Sequence, residues 1–276
     1  MERYAVIGYP VTHSLSPVIH AGFAAQTGKE IHYEQLNVPV ADFEAAVQDF
    51  RQAGGCGLNV TVPHKEAALG LAGEVMPQAR TAGAANWLAF REDVIVAGNT
   101  DGSGLVCDLT EAQGLDLSGM RILLLGAGGA ARGILGPLLG CAPKHLTVAN
   151  RTPERAHALV QAHGSPGNLE ACGLEDLGEV SFDLILNATA AELSTSPMNL
   201  PPSILEAEST VCYDLMYGAD TAFMAWAKQA GCARVCDGLG MLVEQAAESF
   251  ELWHGIRPDT TPVRERLRSA VRPRTP

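Results

Sequence analysis

Apolar and polar positions change period along this chain, from two to about 3.6 and back, in short blocks bounded by Gly and Pro. Tyr4-Ala-Val-Ile7 reads as a strand stopping at Gly8. Pro17 to Thr27 is helix-like and ends at Gly28, and Ile31 to Val38 alternates as a strand. Ala41 to Ala53 predicts an amphipathic helix with Phe43, Val47 and Phe50 on one side, closed by Gly54-Gly55. Gly57-Leu-Asn-Val-Thr-Val62 is a strand ended by Pro63. Such alternation implies a mostly parallel α/β sheet and a domain of its own. A connecting helix over Asp101 to Gln113 follows. The unbroken apolar run Ile122 to Leu125 reads as a buried strand, with a helix-compatible run from Ala130 to Leu139 and a further strand at Leu146-Thr-Val-Ala149. Val180 to Asn187, Thr210 to Asp214 and Ala233 to Cys236 are additional strands. From Gly240 the pattern is helical again, with Met241, Leu242, Gln245, Ala246, Phe250 and Trp253 at helical spacing. The Pro- and Arg-rich tail from Arg257 is expected to fray, apart from a short helix around Val263 to Leu267.

The chain's 276 residues suffice for two domains, and 47% apolar with only 18% charged residues excludes a disordered chain. A net charge of −12 would repel a nucleic-acid backbone and an anionic membrane, so neither is expected as a partner. The seven cysteines show no C-x-x-C pair and the eight histidines no H-x-x-x-H pair. That fits free thiols in a reducing cytoplasm and no metal site. The first residues read as a strand, so no signal peptide is expected, and no apolar run approaches the ~18 residues that span a bilayer.

The strand at Ile122 leads into Gly126-Ala-Gly-Gly-Ala-Ala-Arg132, where Gly126, Gly128 and Ala131 stand at dinucleotide-fingerprint spacing. Gly126 allows a tight turn, Gly128 lets backbone approach a pyrophosphate, and Ala131 keeps the next helix near its strand. A plain βα turn is the alternative, and the strand–turn–helix context reduces its weight. Asn150 lies 24 residues beyond Gly126, near where NAD-binding folds place an acidic residue on the ribose. Here Asn150, Arg151, Thr152 and Arg155 occupy that stretch, with no carboxylate at the strand end, which suits the 2′-phosphate of NADP. Thr152 is a candidate N-cap with Pro153 at the first helical position, which sets Arg155 near Arg151 in the first turn. A solvated basic pair is the bland alternative.

Polar residues also collect at element ends in the first hundred positions. Ser14 and Ser16 precede Pro17 and could hold an oxyanion, or Ser16 could simply cap a helix. Strand alternation puts Asn59 and Thr61 on one face, with Val60 and Val62 on the other, and the segment ends at Lys65. Asn86 and Asn99-Thr-Asp101 add more, although each could merely satisfy loop backbone.

These segments together resemble the shikimate dehydrogenases. The matching residues are His13-Ser-Leu-Ser-Pro17, Asn59-Val-Thr-Val-Pro-His-Lys-Glu66, Gly83-Ala-Ala-Asn86, Gly98-Asn-Thr-Asp-Gly102, Gly126 to Arg132, Asn150-Arg-Thr152, Asn187-Ala-Thr189, Tyr213-Asp-Leu-Met-Tyr217 and Asp237 to Ala247. Two segments depart from the family pattern: Ala190-Ala191, where Ser and Gly are usual, and Thr221-Ala-Phe223, where Thr-Pro-Phe is usual. The resemblance implies an α/β chain of two domains. Residues 1–101 with 241–276 would bind substrate, the C-terminal helix returning to this first domain, and residues 102–240 would form a Rossmann-type doubly wound NADP-binding domain. It implies reversible reduction of 3-dehydroshikimate by NADPH, without a metal, in the cytoplasm, with a small molecule as partner and a homodimer allowed. Lys65 and Asp101 match the catalytic pair. Ser14, Ser16, Asn59, Thr61, Lys65, Asn86, Asp101, Tyr217 and Gln245 match substrate ligands. Gly126, Ala127, Gly128, Gly129, Ala130, Asn150, Arg151, Thr152, Arg155, Ala188, Thr189, Leu215, Gly238 and Met241 match cofactor contacts. The chemistry agrees: serine hydroxyls can hold a carboxylate, and Asn, Thr, Asp and Gln can read ring hydroxyls. An ammonium at Lys65 can stabilise and protonate a developing alkoxide, with Asp101 orienting it. Two other readings stay open: an NAD-using quinate/shikimate dehydrogenase, which Arg151 and Arg155 argue against, and a metabolite-binding module without turnover, which would not need both Lys65 and Asp101.

Overall fold

The computed structural model describes residues 1–178, 180–189 and 199–271. The chain forms two units. Met1–Leu105 and Leu242–Ala270 make up one, and Val106–Met241 belong to the other.

In the first unit β1 (Glu2–Gly8), α1 (Ser16–Thr27), β2 (Ile31–Asn37), α2 (Phe43–Gln52), β3 (Gly55–Val60), α3 (Lys65–Gly70), β4 (Glu74–Val75), α4 (Pro77–Ala82), β5 (Trp87–Arg91) and β6 (Val94–Gly98) lead into α5 (Asp101–Cys107). The sheet order is β2-β1-β3-β5-β6-β4. The pairs β1–β2, β1–β3 and β4–β6 are parallel, while β3–β5 and β5–β6 are antiparallel. The β5–β6 hairpin was not foreseen. It turns at Glu92-Asp93, where Glu92 takes a positive φ of 46°, so no glycine marks the turn in the sequence. Phe43, Val47 and Phe50 are buried in the core with Leu58, Leu88 and Ile95, as the amphipathic pattern predicts.

The predicted strand 57–62 is displaced. It ends at Val60, so alternation does not carry through Thr61 and Val62: Asn59 and Val60 are both buried, and Val62 is 70% exposed. A central strand is covered on both faces, and alternation is a guide only where one face meets water. Gly57 has a packing reason, because a Cβ there would lie 2.4 Å from the Trp253 indole nitrogen and 2.6 Å from the Leu88 carbonyl oxygen.

The second unit holds β7 (Arg121–Leu125), α6 (Gly129–Gly140), β8 (His145–Asn150), α7 (Pro153–Ala162), β9 (Leu169–Gly173), β10 (Leu184–Asn187), β11 (Val211–Asp214), α8 (Ala222–Gln229) and β12 (Arg234–Cys236). Its sheet runs β12-β11-β10-β7-β8-β9 and every pairing is parallel. Numbered from β7, that is the doubly wound order 3-2-1-4-5-6, whose direction switches between β7 and β10. Ile122 to Leu125 and Leu184 to Leu186 are fully buried, which is why these strands read as unbroken apolar runs. The strand expected over 180–187 begins only at Leu184. Ala190 and Ala191 lie outside the described residues. Ala222 stands at the first helical position of α8, and Thr221 supplies the cap by accepting from Met224 N at 3.2 Å. Ala in place of Pro therefore leaves that helix start intact.

Two further helices close the description, α9 (Leu239–His254) and α10 (Thr261–Val271). From Leu242 onward α9 belongs to the first unit, where Trp253 packs on Tyr4 with ring centroids 4.5 Å apart. The helix in this segment is longer than expected. α10 is eleven residues long, because Val263 and Leu267, one helical turn apart, are both buried, and Gly22 of α1 brings its backbone against Val263.

Candidate active site

In the first unit the ends of β3 and β6, the start of β5 and the middle of α9 bring polar side chains together. Lys65 opens α3 just after β3, and Asp101 opens α5 just after β6. Lys65 Nζ donates to Asp101 Oδ2 at 2.6 Å, with the lysine side chain 21% and the aspartate 8% exposed. Asn86, next to β5, donates from Nδ2 to Asp101 Oδ1 (2.9 Å), Thr100 Oγ1 (3.0 Å) and Gln245 Oε1 (3.2 Å). Its Oδ1 accepts from Thr100 N at 2.8 Å, which settles which end of the amide faces the aspartate. Asn99 Oδ1 accepts from Asp101 N at 3.0 Å and pins the start of α5. Lys65, Asp101, Asn86 and Gln245 thus form one bonded set.

Gln245 is held close by Gly104. A Cβ at Gly104 would lie 2.6 Å from Gln245 N and 2.8 Å from its Cα, so α5 and α9 approach backbone to backbone there. Asn59 joins the set through α9, donating to Ser249 Oγ at 2.9 Å and to Asn86 O at 3.4 Å. Thr61 is half-buried beyond the strand end, and its N–H donates to Ile7 O at 2.9 Å.

The two serines bond to each other, and Ser16 also interacts with the Tyr33 hydroxyl, which donates to Asn59 Oδ1 at 2.8 Å. Ser14 Oγ and Ser16 Oγ are 3.1 Å apart, and Ser16 N donates to Ser14 Oγ at 3.2 Å. Ser16 is not the helix cap. Leu15 holds that position, no side chain caps α1, and Ser16 with Pro17 begins the helix. The hydroxyls are therefore not consumed by the cap that the alternative reading required. Tyr217 lies in the second unit, half-buried, where burial raises its phenol pKa. Three contributors went unassigned in the sequence: Thr100, Ser249 and Tyr33. Thr100 was visible within Asn99-Thr-Asp101, and Ser249 one turn beyond Gln245 on the same helix; nothing local marked Tyr33.

The second unit carries the fingerprint turn at its switch point. Gly126 has φ +103°, and a Cβ there would meet Ala188 O at 2.9 Å and Thr189 N at 3.1 Å. Ala188 N donates to Leu125 O at 2.8 Å, so Ala188 and Thr189 lie beside the turn. Gly128 is different. Its φ of −86° suits any residue and no atom lies within 4 Å of a Cβ built on it, or on Gly129. Nothing in the protein requires glycine at either position, and a ligand lying against the backbone would. The α6 N-terminus, with Gly128 as cap and Ala130 in its first turn, has neither a side-chain cap nor an acidic residue, so its N–H groups are available to a phosphate. These observations fit a dinucleotide.

Thr152 occupies the N-cap position of α7, as expected, but makes no side-chain capping bond. Arg155 is in the first turn, Arg151 and Arg155 are exposed, and neither is ion-paired among the described residues. Asn150 Nδ2 donates to Thr152 O at 2.9 Å. At the other strand ends, Leu215 N donates to Asn187 O at 3.0 Å and Gly238 N to Met216 O at 2.9 Å. A Cβ on Gly238 would strike Leu215 O, and Met241 N donates to Tyr213 Oη at 3.3 Å. Buried Asp214 gathers Asn187 Nδ2 (3.1 Å), Thr221 Oγ1 (2.5 Å) and Met216 N (3.0 Å), which fixes the ends of β10 and β11. Among the described residues no group of three or more His, Cys, Asp or Glu could hold a metal. No helix among them is long and apolar enough to cross a membrane.

Comparison with known proteins matches residues 6–88 to the shikimate dehydrogenase substrate binding domain, 108–200 to shikimate / quinate 5-dehydrogenase and 238–268 to the shikimate 5′-dehydrogenase C-terminal domain. A shikimate dehydrogenase (NADP(+)) of Aromatoleum aromaticum is 52% identical over 97% of this chain and 97% of its own. A crystal structure of an Ael1 enzyme from Pseudomonas putida superposes with a TM-score of 0.91 at 43% identity, covering 97% of this chain and 98% of that one. Shikimate 5-dehydrogenase of Thermus thermophilus, solved in complex with NADP(H) and shikimate, gives 0.86 at 37% identity, covering 98% and 100%.

Proposed function

We infer that this chain, which belongs to the shikimate dehydrogenase family, is an NADP-dependent oxidoreductase that reversibly reduces 3-dehydroshikimate to shikimate, in aromatic amino-acid biosynthesis towards chorismate. The observation that carries the reading to individual residues is the Lys65–Asp101 pair at 2.6 Å, bound on its other side by Asn86. NADPH supplies the hydride when bound. As the carbonyl oxygen of the substrate gains charge, the Lys65 ammonium donates a hydrogen bond and then its proton to that oxygen. Asp101 holds the ammonium in place, and the partial exposure of Lys65 lets it regain a proton from solvent. In the reverse direction the amine takes the hydroxyl proton.

The first unit is the substrate-binding part in this reading, and the second binds NADP. Ser14 and Ser16, with the uncapped start of α1, receive the substrate carboxylate. Asn59, Thr61, Asn86, Tyr217 and Gln245 read the ring hydroxyls. The turn Gly126 to Ala130 and the α6 N-terminus hold the pyrophosphate. Asn150, Arg151, Thr152 and Arg155 surround the 2′-phosphate, while Ala188, Thr189, Leu215, Gly238 and Met241 contact the rest of the dinucleotide. We place the enzyme in the cytoplasm because its seven cysteines include no C-x-x-C pair and are free thiols among the described residues.

The test is NADPH formation followed by absorbance, with shikimate and NADP supplied to the purified chain and with quinate or NAD exchanged in turn. Turnover requiring shikimate and favouring NADP is expected. Shikimate binding by calorimetry without turnover would make the chain a binding module instead.

A further inference from the structure

Asn59 is bonded at both ends of its amide, and one of its partners has a fixed role. The backbone carbonyl of Asn86 can only accept, so the edge of the Asn59 amide facing it at 3.4 Å is the NH2. Its other proton goes to Ser249 Oγ at 2.9 Å, and the Ser249 hydroxyl hands its own proton to Gln245 O at 2.9 Å. Both amide protons are therefore committed. Oδ1 accepts from Tyr33 Oη at 2.8 Å and keeps one lone pair.

Tyr33 reaches this position from β2, and its ring is clamped from behind. It stacks on the imidazole of His20 with centroids 4.2 Å apart and planes 8° from parallel. His20 is fully buried and touches Phe23, Phe250 and Trp253; neither ring nitrogen has a partner within hydrogen-bond geometry, although the Asn59 amide interacts with the ring and opposes the effect of burial. Burial pushes its pKa down to about 3, so the stack is neutral across the working range. Burial likewise raises the Tyr33 phenol, which stays protonated and a donor.

We infer that Tyr33 is a positioning residue: together with Ser249 it locks the Asn59 amide so that only an acceptor oxygen remains for one ring hydroxyl of the substrate. The inference rests on the reading of Asn59 as a substrate ligand and assigns the polarity of that contact. Without the Tyr33 hydroxyl, Oδ1 loses its anchor and the amide can rotate. The fault should fall on recognition of a single hydroxyl, leaving Lys65 and Asp101 untouched; because Ser16 also interacts with the Tyr33 hydroxyl, Ser249→Ala, which removes no partner of the serines, isolates the effect.

The experiment compares the unmodified enzyme with Tyr33→Phe, which keeps the ring stack and removes one oxygen, and with Ser249→Ala, which releases the other end of the amide. Substrates are shikimate and analogues each lacking one ring hydroxyl. For both variants we expect KM for shikimate to rise about tenfold, one hydrogen bond's worth. kcat should stay within threefold and KM for NADP should not move. The rise should vanish for the one analogue that lacks the hydroxyl read by Asn59. Should Tyr33→Phe fail to fold, Ser249→Ala carries the same test. An unchanged shikimate KM overturns the inference. So does a fall in kcat at constant KM, or an equal rise for every analogue, which marks a merely structural role. If the unmodified enzyme does not turn over shikimate at all, the functional reading falls first and this inference with it.

Discussion

Replacing Lys65 by Met removes the ammonium and keeps most of the stem, so the loss can be traced to one hydrogen-bonding charge. In the structure that charge sits 2.6 Å from Asp101 Oδ2, and Asp101 is held on its other oxygen by Asn86 at 2.9 Å. If Lys65 protonates the developing alkoxide, kcat should fall by about 10²–10⁴. The middle of that range is about 4 kcal/mol of barrier, at about 1.36 kcal/mol per tenfold. KM for shikimate should change by only a fewfold, because the hydroxyl and carboxylate ligands remain. Stability should drop as well. Asp101 is 8% exposed and loses its cation, while Lys65 is 21% exposed, so the cost lies between those of exposed and buried pairs, about 1–3 kcal/mol. Asp101→Asn should fail for a different reason. Whichever way the new amide turns, its NH2 meets a donor, either Lys65 Nζ or Asn86 Nδ2, so one of the two is displaced. We expect kcat to fall about 10–100-fold, within reach of removing a positioned group. The two residues act as a unit, so the double variant should be no slower than Lys65→Met alone. Steady-state kcat and KM from NADPH absorbance, with urea unfolding alongside, decide the matter. A Lys65→Met enzyme with kcat within threefold of the parent, or fully additive losses in the double variant, would refute the assignment.

Helix propensity says that Gly104→Ala stabilises α5 by about 1 kcal/mol, but the new Cβ would lie 2.6–2.8 Å from Gln245 N, Cβ and Cα; net destabilisation of about 1–3 kcal/mol and a lower kcat/KM for shikimate are expected, and a raised Tm would contradict the packing argument. Gly128→Ala meets no protein atom, so urea stability should stay within about 1 kcal/mol while KM for NADP rises at least about tenfold, and an unchanged KM would remove the pyrophosphate from that turn. Truncating Arg151 and Arg155 to Ala should cost on the order of 1.5–3 kcal/mol of NADP binding for each guanidinium that reaches the phosphate, with NAD nearly unaffected; equal NADP/NAD ratios of kcat/KM before and after would leave the pair as surface charge. His20 is neutral in the fold to about pH 3 and takes a proton near 6.5 when unfolded, so the unfolded chain binds more protons between these values and stability falls as pH drops through that window. At pH 4.5 this is about 2–3 kcal/mol relative to pH 7, which His20→Phe should largely abolish in paired urea titrations; the neighbouring titratable groups, His254 and Tyr33, are present in both proteins, and identical pH slopes would sink the argument.

The sequence by itself determined the elements whose chemistry is local. The run Ile122 to Leu125 is unbroken because a central parallel strand is buried on both faces, and the turn after it needs glycine where φ is +103°. Phe43, Val47 and Phe50 declare their helix because one face alone meets the core. Lys65, Asn86 and Asp101 are legible for a related reason: polar groups at strand ends face the side where an open α/β sheet receives ligands. Right-handed crossovers narrow the orders open to such a βα series without choosing between 3-2-1-4-5-6 and other doubly wound orders.

Local pattern failed where a residue's environment comes from elsewhere in the chain. Alternation placed Asn59 and Thr61 together, yet β3 stops at Val60, and Asn59 is secured by Tyr33 and by Ser249, some 190 residues away. The β5–β6 hairpin has no glycine at its turn and is held by pairing with β3. Ser16 looked like a cap until the backbone placed Leu15 there, and Gly104 shows its purpose only once α9 is laid against it. Hydrogen-bond polarity is the sharpest case. Side-chain type limits what an Asn can donate and accept, but which end of Asn59 or Asn86 meets which neighbour depends on carbonyls and hydroxyls from distant segments. Only the tertiary structure brings those within about 3 Å, where a hydrogen bond distinguishes N–H from C=O.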